Sequence, residues 1–488
     1  MSQKVFTQSK NFREEYSALI CRVGKVTPLE NSDFLASVSM SGFDIIVRKD
    51  QVSEGDIKIY CPIETELCQG LLSSNNLYSI SNKELNSNAK EVTKLYENGE
   101  VDKAKSMVGF FEKTGRIRML RLRGHESMGF IMNPEDLLKW QPKANISNIS
   151  EHVGESFDTF NGELMIKVYM PPIKPVRNSG TGYGKHNKVA KHIPRIIPGT
   201  FSFHYDTMQL ERYMMNINPE TVINISEKMD GTSFILSNIP VLRKLSFIEK
   251  IKKLFGAKVV LTDYDMIYSS RHVVKNGDLN DSNENGSYSK DVYGDIAKNM
   301  HSIIPKGMTV YGECIGYYKD GKAIQNRHGH AYSYGCNVGE CKIMPYRITK
   351  LNSDGKHEEI DVNEIVTWVE DIVKTNPALK DYLVAPTVFY NGPAMDLYKD
   401  IVPSSSTWKE EFLSHLKADK NMLMECEEPT CSKGTPSEGI VIRIDKHPEL
   451  KAYKLKCLKY RELEAKDIDK GIVDTETAES YPTSETAE

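Results

Sequence analysis

The chain lacks any run close to the ~20 apolar residues that a membrane-spanning helix needs. Met1-Ser2-Gln3-Lys4 is not followed by the apolar core of a signal peptide either, so a soluble, intracellular, cytoplasmic protein with no membrane partner is expected. It also lacks a charge excess: 63 Lys and Arg against 67 Asp and Glu leave a net charge of -4. That excludes a broadly cationic surface, so contact with nucleic acid would have to come from a local patch. The nine cysteines are odd in number and irregularly spaced, which speaks against a disulfide framework and suits a reducing compartment. No close knuckle spacing occurs. Cys336/Cys341 and Cys426/Cys431 are each C-x4-C, a looser spacing that leaves a zinc site open.

One local absence is informative. Residues 166–200 hold no Asp or Glu, but they carry Lys167, Lys174, Arg177, Lys185, Lys188, Lys191 and Arg195, with His186 and His192. Interleaved Pro171, Pro172, Pro175, Gly180, Gly182 and Gly184 predict loop rather than helix. The segment is expected to be a basic linker between domains, either simply solvated or contacting phosphates.

At 488 residues, with 39% hydrophobic and 27% charged, there is material for more than one domain. Residues 1–165 read as mainly β, with strand-like runs at 17–26, 34–48, 56–63, 116–123 and 128–132. Turn residues such as Ser41-Gly42 and Glu54-Gly55-Asp56 separate them, and a helical insert is expected at 88–112. Short strands with one helical insert suit a small barrel, with an OB-like barrel as the leading choice. Residues 201–470 alternate strand-like pieces (222–226, 233–236, 308–318, 440–444, 452–455) with helix-like ones (363–374, 406–416), an α+β pattern. The Thr-, Ser- and Glu-rich stretch 471–488 is expected to be an acidic disordered tail.

Within the second region, Ile225-Ser226-Glu227-Lys228-Met229-Asp230-Gly231 ends an apolar strand in a Lys-x-Asp-Gly turn. Lys228 is the best candidate in the chain for a covalent nucleophile. An amine attacks only when neutral, and a free lysine pKa of about 10.4 leaves it charged. Desolvation and neighbouring cations are therefore expected to lower it. Asp-Gly is also an ordinary turn dipeptide, and three fixed letters recur by chance in about one chain in ten of this length. The company of the motif decides. Downstream lie Ser269-Ser270-Arg271, Val310-Tyr311-Gly312-Glu313, Ile343-Met344-Pro345-Tyr346-Arg347, Ser437-Glu438-Gly439-Ile440-Val441-Ile442-Arg443 and Tyr453-Lys454-Leu455-Lys456.

In order, spacing and strand context these resemble motifs I, Ia, III, IIIa, IV and V of the covalent nucleotidyltransferases, the superfamily of ATP-dependent ligases and mRNA capping enzymes. The resemblance implies an ATP-grasp-like ligase domain in which Lys228 takes AMP from ATP. Lys454 and Lys456, alternate residues on one strand, would share a face and hold the α-phosphate. Glu438 and Glu313 would offer hard oxygens to Mg²⁺ or Mn²⁺, with Glu313 alternatively bonding the ribose. Arg271 would clamp ribose or a 5′-phosphate, and Tyr346 would stack on adenine. Glu227, Asp230 and Gly231 would also border the nucleotide.

Only 32 residues follow Lys456, which leaves no room for the OB domain that DNA ligases and capping enzymes carry after motif V. A barrel placed first, with Gly55-Asp56-Ile57-Lys58-Ile59-Tyr60 and 121–129 as its familial stretches, resembles the Naegleria/Deinococcus-type RNA ligases. That likeness implies a monomeric RNA-repair enzyme that seals 3′-OH/5′-phosphate ends, nicks with an RNA 3′-OH strand above all, through lysyl-AMP and RNA-adenylate. It also implies that the barrel orients pyrophosphate, with Arg121 and Arg123 as candidate contacts. The alternatives are a GTP-using capping-type guanylyltransferase, a DNA ligase, or a nucleic-acid-binding protein with no catalysis.

Overall fold

The computed structural model describes residues 4–30, 32–171, 195–205, 207–278, 291–445 and 450–472. Most of the basic stretch, including Pro172, Lys174, Pro175, Arg177, Gly180, Gly182, Gly184, Lys185, His186, Lys188, Lys191 and His192, lies outside the described residues, as does the tail from 473 onward. The chain divides into two compact units: Met1–Met170 with Glu211–Met214, and Pro171–Leu210 with Met215–Glu488. Among the described residues no helix is long and apolar enough to cross a membrane.

In the first unit β1 (Ala18–Arg22), β2 (Val26–Pro28), β3 (Leu35–Met40), β4 (Phe43–Arg48) and β5 (Ile57–Pro62) are followed by helices α1 (Ala89–Glu97) and α2 (Val101–Ser106). Then come β6 (Gly129–Met132) and β7 (Ser156–Phe157). The expected helical insert is thus two short helices broken at Gly99, whose φ of +82° ends the first. A four-stranded antiparallel sheet runs in the order β6-β5-β1-β7, and β2-β3-β4 form a second sheet. Period-two alternation splits the first sheet's side chains between two cores. Leu19, Cys21 and Tyr60 meet Val38, Met40, Phe43 and Ile45 of the small sheet. Ala18, Ile20, Ile59 and Cys61 face Leu71, Tyr78 and Phe111 on the other side.

The β3–β4 hairpin turns at Ser41 (φ +49°) and Gly42 (φ +82°), the paired positive φ values of a two-residue turn. Among the described residues the strands of this unit pair into separate small sheets and none closes on itself. The 116–123 run, expected as one strand, is two, and Arg123 is not a strand residue. It has φ +53° in the turn between Leu120–Leu122 and His125–Ser127, while Arg121 lies 3.6 Å from Glu126.

The second unit holds β8 (Met208–Gln209), β9 (Val222–Lys228), β10 (Thr232–Leu242), α3 (Phe247–Leu254), β11 (Thr262–Ser269) and α4 (Val292–Met300). After these come β12 (Met308–Gly316), β13 (Cys341–Leu351), β14 (His357–Glu359), α5 (Val362–Thr375) and β15 (Val388–Pro393). The unit ends with α6 (Trp408–Ala418), β16 (Gly439–Ile444), β17 (Lys451–Lys456) and α7 (Leu458–Asp469). One five-stranded sheet has the order β8-β17-β16-β9-β15, the other β11-β10-β12-β13-β14. Alternation sorts the second sheet. Phe234, Leu236, Val310 and Cys314 join Ile296, Ala297 and Met300 of α4 and Ile365 and Val369 of α5 in the core. The alternate residues on β10 and β12, Ser233 with Glu313 and Ile235 with Tyr311, point the other way. On that face Ile239, Val241 and Ile267 pack Ile196 and Phe201, so the end of the basic stretch lies along the sheet. The whole is a mixed α+β protein.

Candidate active site

The turn Met229-Asp230-Gly231 carries the chain from the first sheet into the second, which places Lys228 where the two meet. Cross-strand register then assembles the rest. Lys228 pairs with Gly439, and Gly439 pairs with Lys456, so the two lysines flank one glycine in a row across three strands. Gly439 has φ +137°, and a Cβ there would stand 2.1 Å from the Leu455 carbonyl oxygen, so only glycine fits between them. Glu438, one residue before β16, sends its carboxylate to both lysines. Its Oε1 lies 2.8 Å from Lys228 Nζ and 3.6 Å from Lys456 Nζ. Lys456 Nζ also donates to Glu464 Oε1 of α7 at 2.9 Å. Lys454 sits two residues back on β17, opposite Val441.

Glu313 enters from the other sheet. Its Oε1 accepts from the Gly231 amide at 3.1 Å, and a Cβ on Gly231 would come within 2.7 Å of Glu313 Cγ and 2.4 Å of the Cys314 carbonyl oxygen. The turn is held by Asp230, whose carboxylate takes a two-pronged bond from Arg327 at 2.8 and 3.0 Å. Asp230 N donates to Tyr334 OH at 2.7 Å, and Gln325 Nε2 donates to the Gly231 carbonyl at 2.6 Å. Asp230, expected beside the nucleotide, therefore has its carboxylate occupied as a strut of the turn.

The electrostatics reverse one expectation. Burial pulls the Lys228 pKa down, but the carboxylates of Glu438, Glu313 and Asp230 outweigh it and hold the ammonium above its ordinary value. Acidic residues brought in from distant strands dominate the field, rather than cations. For Glu438 burial pushes upward, while Lys228 and Lys456 win and keep it ionised below the usual range. Burial likewise opposes ionisation of Glu464, yet Lys456, Arg327 and Arg461 bring it to about 2. Glu227 faces away from this row. Burial first, then the Glu428 carboxylate, raise it to about 8.

Glu438 Oε2 is buried without a hydrogen-bond partner. A buried acceptor left open beside a second carboxylate suits a hard cation that completes its shell with water and phosphate oxygens. That open oxygen of Glu438 is the feature of the site that would receive such a cation, magnesium or manganese. Among the described residues no group of three or more His, Cys, Asp or Glu side chains is gathered for a metal, and all nine cysteines are free thiols, so the C-x4-C pairs find no zinc set there.

Tyr346 and Arg271 fall in a second group. The Tyr346 ring meets His204 edge-on at 5.0 Å, and the Arg347 guanidinium lies 4.4 Å from the Tyr311 ring and 4.8 Å from that of Tyr205. Burial, then the charges of Arg347, Arg271 and Arg443, drive the His204 pKa down to about 3. Tyr311 is two residues from Glu313 on β12, so the groups stand about 7 Å apart along one strand face. Sequence reasoning missed Glu464, Arg327, Tyr334, Gln325 and His204. Of these only Glu464 left a local signal, an acidic residue two helical turns beyond the Lys454-x-Lys456 strand.

No protein-family model and no curated protein matches the chain. Solved structures do. It is similar to three Naegleria gruberi RNA ligase structures, each with a TM-score of 0.50: a point mutant with AMP and Mn (14% identity, covering 92% of this chain and 98% of that one), a second mutant with AMP and Mn (15%, 92% and 98%) and an apo mutant (16%, 91% and 97%). At these identities the likeness is one of fold, and it extends over nearly the whole length of both chains.

Proposed function

We propose that the protein is an ATP-dependent RNA ligase that works through Lys228. The observation that carries the reading is the row Lys228-Gly439-Lys456 closed by Glu438: an amine at a strand end, backed by a second cation and a carboxylate with one oxygen still open. Similarity in fold to RNA ligase structures that contain AMP and Mn supports it.

In the proposed reaction the Lys228 Nζ lone pair attacks the α-phosphorus of ATP. The bond to the β,γ-diphosphate breaks, and pyrophosphate leaves. The amine must first lose a proton, which the Glu438 Oε1 contact at 2.8 Å opposes for as long as that carboxylate's charge is uncancelled. Lys454 and Lys456 would neutralise charge that builds on the α-phosphate oxygens. A magnesium or manganese ion held by Glu438 and Glu313 would supply positive charge that cancels the carboxylates' field on Lys228 and screens the phosphates. The AMP would then pass to an RNA 5′-phosphate, and an adjacent RNA 3′-OH would displace it, sealing a nick. Arg271 and Tyr346 would serve ribose and adenine.

The domain division is part of the reading: 1–165 an OB-like unit that orients pyrophosphate, 166–200 a basic linker, 201–470 the transferase. The reading also takes the setting as reducing and cytoplasmic, in keeping with nine free thiols, and the enzyme as a monomer that repairs RNA.

The test is covalent labelling. Label from α-labelled ATP, and not from α-labelled GTP, should remain on the denatured protein, and Lys228→Ala should remove it, since no alkyl side chain can form the phosphoramidate. Label kept by that variant would sink the assignment. Preference for GTP would turn it toward a capping-type guanylyltransferase.

A further inference from the structure

Between β10 and β11 residues 243–261 form an excursion that the site does not use. Its helix α3 is set locally by a capping box: Ser246 accepts from the Glu249 amide, and the Glu249 side chain accepts from the Ser246 amide. At ~100° per residue, Phe247, Ile248, Ile251, Leu254 and Phe255 fall within an arc of roughly 120°. Lys250 and Lys252 stand at its two edges, and Glu249 and Lys253 lie opposite. No residue of α3 is buried. Phe247 is 77% exposed, Leu254 and Phe255 are 82% exposed, and Val260 beyond the helix is 69% exposed. The only acidic side chain from 243 to 261, Glu249, is taken up by Arg243. The excursion is therefore an open apolar stripe between lysines, on a chain whose net charge is -4.

We propose that this excursion docks the protein on an anionic phospholipid surface, with the apolar arc in the acyl boundary and Lys250, Lys252 and Lys258 among the headgroup phosphates. The observations favour a bilayer over the other partners that could cover an apolar stripe. Nucleic acid would match the lysines but has no surface for Ile248, Ile251, Leu254 and Val260. A second copy of the chain would bring the same lysine-edged stripe against itself, like charge on like. A bilayer takes apolar depth and flanking cations together, with long lysine stems reaching out of the apolar layer. Acidic lipid supplies the missing countercharge.

The test is independent of the nucleotidyl-transfer reading. Full-length protein is sedimented with vesicles of phosphatidylcholine alone and of phosphatidylcholine with one-third phosphatidylserine. Binding is expected to the second only, and to fall between about 0.1 M and about 1 M salt as the screening length shrinks from ~10 to ~3 Å. Combined Phe247→Ser, Leu254→Ser and Phe255→Ser should weaken it at least about tenfold, as should combined Lys250→Glu and Lys252→Glu, with circular dichroism unchanged because every altered side chain is exposed. No binding to the serine-containing vesicles, or equal binding by the serine variant, overturns the proposal. So does a dimer that the serine variant dissolves without any vesicle binding, or a glutamate variant that loses RNA affinity but keeps its vesicles.

Discussion

At the scale of single residues, buried charge is what the site is made of, and each charge is answered by a partner. Arg327 and Asp230 form an enclosed pair, with side chains 10% and 6% exposed, and removing one leaves the other uncompensated. Arg327→Met is therefore expected to cost about 3–5 kcal/mol in denaturant titrations, and adding Asp230→Asn should restore part of that. If the single variant proves as stable as the native chain, the pair is not the strut described. His204 offers a pH test. Its folded-state pKa lies near 3 against 6.5 when free, so it is neutral in the fold and binds a proton more readily unfolded. The sign follows: its contribution is fully present above 6.5 and is lost progressively as pH falls toward 3. His204 is partly exposed, so the expected loss by about pH 5 is about 1 kcal/mol of native stability, measured against a His204→Gln variant that lacks it. Parallel pH profiles for the two proteins would refute this.

At the scale of elements, what could be read in the sequence was what the chain encodes locally. Lys228 before Asp-Gly, the alternation of Lys454 and Lys456, and Glu438 ahead of an apolar strand all lie within a few residues of the turn or strand that positions them. Arg327 could not be read, because it reaches Asp230 from a short hairpin 97 residues further on. The sign of the Lys228 shift was missed for the same reason: local sequence shows desolvation, while Glu438 and Glu313 come from other strands. In the first unit the strands were legible as short runs between turns, but periodicity says nothing about which runs pair, and the pairing gives separate sheets. The element-scale prediction concerns β16. Gly439→Ala meets the Leu455 carbonyl oxygen at 2.1 Å, so β16 and β17 must part. A loss of about 1–3 kcal/mol is expected. Because the row itself is disturbed, lysyl-AMP formation should fall by more than stability explains, read at a temperature where the variant is still folded. Normal labelling would show that the row tolerates displacement.

At the scale of the whole molecule, the chain's two units divide the proposed chemistry unequally. Lys228, Glu313, Glu438, Lys454 and Lys456 all belong to the second unit, which also has its own core beneath α4 and α5. A fragment starting at Pro171 is therefore expected to fold cooperatively and to seal RNA that already carries a 5′-adenylate, since that step releases AMP and needs no pyrophosphate to be oriented. With ATP it should be slow. If the first unit positions the leaving pyrophosphate, its loss leaves that group misaligned, and misplacement at a reacting centre can cost ~10²-fold. The two reactions, run on one preparation, separate the possibilities. Loss of both means the fragment is unfolded or the second unit is not the transferase. Retention of both at the full rate means the first unit serves nucleic-acid binding alone, because a unit that shapes the leaving-group site cannot be removed without slowing the step that uses it.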